Sequence, residues 1–481
     1  MKREEILKVY EAGPDAVVKL VQGLIHEFTS KINELNNRID KLEKQISKDS
    51  HNSSKPPSSD GLKKKRTKSR RSKSGKKSGG QKGHKGKTLE ISDNPDEVIP
   101  LKVKKCEKCG CSLEDVNVKA HDKRQEFEIP KIKVHIKEYV SETKECPHCK
   151  HENKAEFPEG INSKVQYGNY LRAIAVYLRN YELIPLDRTA EIFEDLFSIP
   201  LCEGTVVNTT KRCAKKLYGF HDWVMNKLIE SKVVHFDETG INIGGKLHWL
   251  HTAGTPLLTS YFAHKRRGSE AFDAMGILPS FNGKAVHDHW SSYFKYNCEH
   301  VLCNAHHLRE LTFVYEQEGQ KWAKKLIDFL CTVKDDVEKA EDKGNLIELA
   351  LMKKHEMKYK RILREGFKNN PPPEPEKVKK RGRKKKSKTL NLLERLRDFD
   401  KETLAFMYDL DVPFDNNLAE RDIRMVKVQQ KISGLFRTHC GADQFCIIRS
   451  FISTVKKQDF SVIDAIGKIL NGEPVYMEFS C

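Results

Sequence analysis

The chain has 481 residues, of which 38% are hydrophobic and 32% charged, and a formal net charge of +19. It can fill at least one sizeable core but must leave part of itself outside any core. The basic balance calls for a polyanionic partner, either nucleic acid or an acidic membrane surface, while no run of eighteen apolar residues suggests a spanning helix.

The opening stretch, MKREEILKVYEAGPDAVV, has no apolar centre followed by a small-residue cleavage site, so the expectation is a soluble cytoplasmic protein with no membrane association. Residues 1–50 read as helix. Within them Ile32, Leu35, Ile39, Leu42 and Ile46 follow a three-four spacing, the seam of a coiled coil and a route to a homo-oligomer. An amphipathic helix packed on its own protein has the same pattern. Residues 51–99 are a linker. NSSKPPSSDG opens it, and residues 61–87 then carry thirteen Lys or Arg, six Gly and no acid. Such an arm cannot build a core but can follow phosphates, driven by counterion release.

Residues 100–158 contain Cys106-x-x-Cys109 and Cys146-x-x-Cys149. Thirteen scattered cysteines do not resemble a secreted disulfide framework. Two Cys-x-x-Cys turns can instead offer four thiolates to one structural zinc. Cys111 is a spare thiol beside Cys109. Between the pairs, FEIPKIKVHIKEYVSE alternates apolar and polar residues, which predicts a strand in a small β module. Residues 159–231 turn helical. LDRTAEIFEDLFSIPLCEGTVVNTTKRCAKKL reads as helix, turn, helix, either a DNA-binding helix-turn-helix or an ordinary helical hairpin.

From Lys232 strands return. KVVHFDE, KLHWLHTA and LLTSYFAH are followed by a helix, SEAFDAMGIL, and two further strands, GKAVHD and EHVLC. That order predicts a ribonuclease H-like core, divided between residues 232–319 and 411–481. Residues 320–410 interrupt it as a helical insertion with an exposed basic loop, where RGRK suits an A·T-rich minor groove. The fold class expected is therefore multidomain α/β.

Three acids carry the chemistry. Asp237 lies mid-strand in HFDET, where an unpaired acid packs poorly. Asp288 ends a strand, at the edge of the sheet where ligands gather. Glu420 falls early in the last helix of the core, with Asn416 and Arg424 four residues to either side, placing all three on one face. Together Asp237, Asp288 and Glu420 can hold two Mg²⁺ ions, with Asn416 and Arg424 supporting Glu420 or touching phosphate. Either Asp415 or Asn416 is expected to cap that helix. Cys303-x-x-His306 has metal-ligand residue types but no matching second pair, and is expected to pack. His235, His287 and His289 flank the acids and are expected to face away from them.

The motifs HFDET, VHDHW, LCNAHHLREL and DNNLAERDIR, with NSSKPPSSDG and GGQKGHKGKTL ahead of the cysteine pairs, resemble the transposases of bacterial insertion-sequence family 66. The resemblance runs over nearly the whole chain. It implies a DDE transposase with Asp237, Asp288 and Glu420 as the catalytic triad, a helical insertion between the second and third acids, and element-encoded accessory proteins. The partner implied is DNA, both element ends and target, in the nucleoid of a bacterial cytoplasm. Two stretches depart from the pattern: PPPEPEKVKKRGRKKK is elaborated, and GGQKGHKG is unusually basic. Neither includes an acid of the triad.

Overall fold

A computed structural model describes residues 3–49, 51–53, 89–342, 344–372 and 386–480. The basic arm at 61–87 and the RGRK loop lie outside the described residues. Two units emerge. One comprises Met1–Lys65, Ser163–Glu191 and Leu201–Cys481; the other comprises Arg66–Asn162 and Ile192–Pro200.

The smaller unit holds both cysteine pairs. Its only strands among the described residues are β1 (Thr143–Glu145) and β2 (Glu152–Lys154), paired antiparallel with Lys144 opposite Asn153. The alternating segment 127–142 is not a strand, contrary to expectation. Alternation creates one apolar face, but Phe127, Ile129, Ile132 and Ile136 are all exposed. With neither a ladder partner nor a covering layer, the pattern has nothing to pair with or bury against.

In the larger unit the first helices are α1 (Arg3–Glu11) and α2 (Pro14–Ile46). Proline at the start of α2 is well placed, since its missing N–H would be unpaired there anyway. The seam residues Ile32, Leu35, Ile39, Leu42 and Ile46 are exposed. Next come α3 (Asn169–Val176), α4 (Leu186–Phe197), α5 (Glu203–Lys216) and α6 (Tyr218–Glu230). The helix, turn, helix order of residues 186–216 is present, though α4 runs on into the segment grouped with the smaller unit.

The sheet follows: β3 (Val233–Ile243), β4 (Lys246–Gly254), β5 (Thr259–His264), α7 (Ser269–Met275), β6 (Lys284–His287) and β7 (Glu299–Leu302). Its lateral order is β5-β4-β3-β6-β7. The first three strands are antiparallel, and β6 and β7 run parallel to β3. Alternation along β3 sends Val234 and Phe236 to one face, where they meet Phe220, Val224, Leu228 and Phe451. The opposite face carries Asp237, Ile241 and Ile243.

The insertion is helical, as its charge-flanked apolar pattern predicts. After α8 (Asn304–Glu318) come α9 (Lys321–Glu341), α10 (Leu349–Asn369), α11 (Lys388–Asp398), α12 (Asp400–Thr403) and α13 (Ala405–Tyr408). Trp322, Leu326 and Leu330 of α9 pack on Tyr359, Ile362 and Leu363 of α10 and on Leu393 and Leu396 of α11. Gly366 permits this approach, because a Cβ there would stand 2.6 Å from Leu393 and 3.0 Å from Trp322.

The chain returns to the sheet with α14 (Asn417–Ser433), α15 (His439–Lys457) and α16 (Val462–Asn471). Ile423 and Val426 of α14 join Ile241, Ile243 and Leu250 in one cluster. Burying each contributes about 1.5–3 kcal/mol, which clamps α14 onto the face that carries Asp237. Glu420, one turn before Ile423, is thereby delivered beside the strand.

Candidate active site

Asp237 and Asp288 come level by register. The last parallel pairing of β3 with β6 is His235 with Val286, and each acid lies two residues further along its strand direction. Asp288 directly follows β6 in a tight turn: its Oδ1 accepts a hydrogen bond from the Trp290 N–H at 3.1 Å, and His289 adopts φ +74°. A non-glycine residue in that region is held there at a cost of about 1–3 kcal/mol, and such strain clusters at functional sites. Glu420 occupies the first turn of α14, where the helix dipole favours an anion.

The three acids share an electrostatic field. The Asp237 carboxyl is pushed well above its usual range, first by desolvation and then by Glu238, Asp288 and Glu420. Cationic neighbours hold the other two: Arg267 lies 3.8 Å from Asp288, and Arg309 lies 3.4 Å from Glu420. No cation is paired with Asp237 among the described residues, so a net excess of negative charge gathers there.

Of the two roles expected of Asn416, support of Glu420 or contact with phosphate, burial removes the second. It is 1% exposed and so cannot touch phosphate. Its Oδ1 lies 2.8 Å from His235 Nδ1, and its Nδ2 donates to the Phe236 carbonyl at 2.7 Å. Its backbone N–H points at Cys303 Sγ, 3.1 Å away. Asn416 is thus a rivet between the start of α14, β3 and the end of β7. It stands at the cap position of α14 but makes no side-chain cap bond; Asp415 Oδ1 instead accepts from the Asn417 N–H at 3.0 Å. Arg424 is exposed and has no hydrogen bond or ion pair among the described residues.

His235 is also corrected. It is two residues from Asp237 in the same strand, so the two share a face. His287 faces the other way, stacked on Tyr293 with ring centres 4.4 Å apart. His289 packs edge-on against Phe399 at 4.6 Å.

Sequence reading missed a second layer. Glu238, buried on the far face of β3, accepts from Tyr293 Oη at 2.5 Å and from Arg267 Nε at 2.9 Å. Desolvation, followed by the charge of Asp288, lifts its carboxyl to about 7. Arg267 also stacks over Trp290, 3.2 Å from the ring centre. The signal was present in HFDET, where two adjacent acids must face opposite sides of a strand. Asp422 belongs elsewhere: it pairs with Lys457 at 2.7 Å and accepts from Thr259, a structural tie to α15.

A model described as Transposase IS66 family matches residues 164–444, more than half of the chain and all three acids. The chain belongs to the IS66 family of transposases. Residues 11–90 of this transposase match a family of unknown function (DUF6444). No curated protein compared with it matches. Membership makes it a transposition protein that acts on DNA, and among its described residues no helix is long and apolar enough to cross a membrane.

The cysteine pairs make two turns of one design. Cys106 N–H bonds to the Cys111 carbonyl and Cys146 N–H to the His151 carbonyl, both at 2.9 Å; the Gly110 and Lys150 N–H groups return to the carbonyls of Cys106 and Cys146, again at 2.9 Å. Gly110 and Lys150 both have positive φ, +76° and +59°. The Cys146 thiol is lowered by hydrogen bonds from the backbone of Cys149 and His148. No three of the four thiols lie within 4.8 Å of one another.

Proposed function

We propose that this IS66-family protein is a DDE transposase that cuts the ends of its insertion-sequence element and joins the freed 3′-hydroxyl to target DNA. The observation that carries the reading is the delivery of Asp237, Asp288 and Glu420 to one edge of the sheet by three separate elements. The strand order supports a ribonuclease H-like core: by order of appearance the strands lie third, second, first, fourth, fifth, the last two parallel to the first.

The donor set fits a hard divalent cation. All the donors are carboxylate oxygens, and Asp237 is destabilised as an anion first by burial and then by its acidic neighbours, a conflict that bound cations relieve. Two Mg²⁺ ions held by Asp237, Asp288 and Glu420 would neutralise charge on the entering and leaving oxygens of the phosphodiester. The chain's own residues provide the positioning. Asp237 is fixed by the ladder of β3. Arg267 and the Trp290 N–H hold Asp288. Arg309 and the Asn416 rivet hold Glu420.

The two cysteine turns support one structural zinc held by Cys106, Cys109, Cys146 and Cys149, once the pairs close on each other. The exposed seam of α2 supports a homo-oligomer, and the +19 charge supports a DNA partner, in keeping with a cytoplasmic protein at the nucleoid. Accessory proteins encoded by the element follow from the family resemblance.

The test is cleavage and joining of labelled element ends in Mg²⁺ by wild type, Asp237→Asn, Asp288→Asn and Glu420→Gln, with DNA binding measured in parallel. Each variant should lose cleavage and keep binding. Full activity in Asp237→Asn would end the proposal. Cut but unjoined products from the wild type would identify a nuclease, and binding without cutting a DNA-binding regulator.

A further inference from the structure

Cys303-x-x-His306 lacks a second pair in sequence, yet the fold supplies a third ligand from beyond the insertion. Cys303 follows β7 and stands at the N-cap of α8. His306 sits one turn along α8. Glu420 reaches them from the first turn of α14. The ligand atoms of these three residues all lie within 4.8 Å of one another, and they are the one such set of three or more among the described residues.

Cys303 Sγ is buried, accepts the Asn416 N–H at 3.1 Å and lies at a helix N-terminus; burial pushes its thiol up to about 12, so a bound cation has to displace that proton. His306 Nδ1 is buried without a hydrogen-bond partner among the described residues, 3.9 Å from Glu420 Oε1. A polar atom in that state is short of a proton donor or a cation.

We infer that Cys303, His306 and Glu420 form a site for a borderline-soft divalent cation such as Zn²⁺, and that its occupancy withdraws Glu420 from the catalytic triad. A sulfur, a nitrogen and an oxygen suit zinc and exclude magnesium, which seeks oxygen. Tetrahedral bonds of about 2.0–2.3 Å place neighbouring donors roughly 3.5 Å apart. Closure of about 1 Å, achieved by turning His306 and Glu420, completes three ligands, and water fills the fourth position. A Glu420 oxygen committed to zinc is no longer free to face Asp237 and Asp288. The site is therefore an inhibitory switch. That second half rests on the catalytic reading above; the binding half does not.

Co²⁺ serves as the probe, added to the full-length protein purified with its own zinc. The expected result is about one further Co²⁺ per chain with a near-ultraviolet sulfur-to-cobalt absorption that Zn²⁺ abolishes. Cys303→Ser should remove the absorption, and exposed Cys440→Ser should leave it. His306→Ala, at a partly exposed position, and Glu420→Gln should each weaken binding by about tenfold or more. No additional Co²⁺, or an absorption that survives Cys303→Ser, overturns the site. In Mg²⁺-dependent cleavage, His306→Ala should need at least about ten times more Zn²⁺ for half inhibition; equal sensitivity overturns the switch. Cobalt binding with the expected residue dependence in a wild type that cleaves nothing upholds the site, and then the catalytic reading fails instead.

Discussion

Replacing Asn416 with alanine should separate a buried positioning residue from a phosphate contact. The side chain joins His235 Nδ1 at 2.8 Å and the Phe236 carbonyl at 2.7 Å. Alanine leaves the imidazole nitrogen of a buried His235 without its partner, worth about 1–3 kcal/mol, and removes a donor from the carbonyl, worth about 1 kcal/mol. The sum is about 3 kcal/mol of stability. All four tryptophans, Trp223, Trp249, Trp290 and Trp322, belong to the larger unit, so urea unfolding followed by their fluorescence reads this loss. Activity should fall further than stability implies. The rivet sits one turn before Glu420, and displacement of a reacting group by 1 Å can cost about 100-fold. Under conditions where the variant stays folded, cleavage of element ends should drop by about that factor, while DNA binding holds. Arg424→Ala, in contrast, should change stability by less than about 0.5 kcal/mol. Wild-type stability and cleavage in Asn416→Ala would refute the argument.

Glu238 gives a pH prediction. Its carboxyl is raised from 4.5 to about 7 in the folded state, so the folded protein holds this proton more tightly than the unfolded chain. The associated stability is complete below about pH 4.5 and is lost as pH rises through 7, amounting to about 3 kcal/mol. In metal-free buffer Glu238→Gln should lack this component; parallel stability curves for the two proteins from pH 4 to 8.5 would show that Glu238 titrates normally. In the smaller unit, Cys146→Ser should remove about one zinc per chain by metal analysis, and an unchanged zinc content in a folded protein excludes the four-cysteine site. In α2, Leu35→Glu with Leu42→Glu should shift sedimentation to smaller species, because both side chains are exposed on the seam; an unaltered profile assigns self-association to another surface.

Much of the candidate site was legible because acids within strands are poor structural residues. An acid in the middle of β3 and another at the end of β6 stand out against strand composition, and their order with Glu420 carried the family resemblance. The strands of the core and the helices of the insertion were legible from period and turn residues. The segment at 127–142 was not, because alternation signals a strand only where a partner and a covering layer exist.

Sequence alone thus determined the basic charge, the core elements and which three acids to propose as a site, since charge, period and residue type are local properties. Only the tertiary structure decided the rest. It removed phosphate contact from the two roles open to Asn416 and made it a buried rivet, because burial is set by how α14 lies on β3. It placed Glu238 and Tyr293 behind the site, because two adjacent acids in a strand face opposite layers. And it completed the Cys303, His306 and Glu420 set across the whole insertion, because a ligand cluster is defined by distance in space, which the clamping of Ile423 and Val426 onto the sheet fixes and spacing along the chain does not.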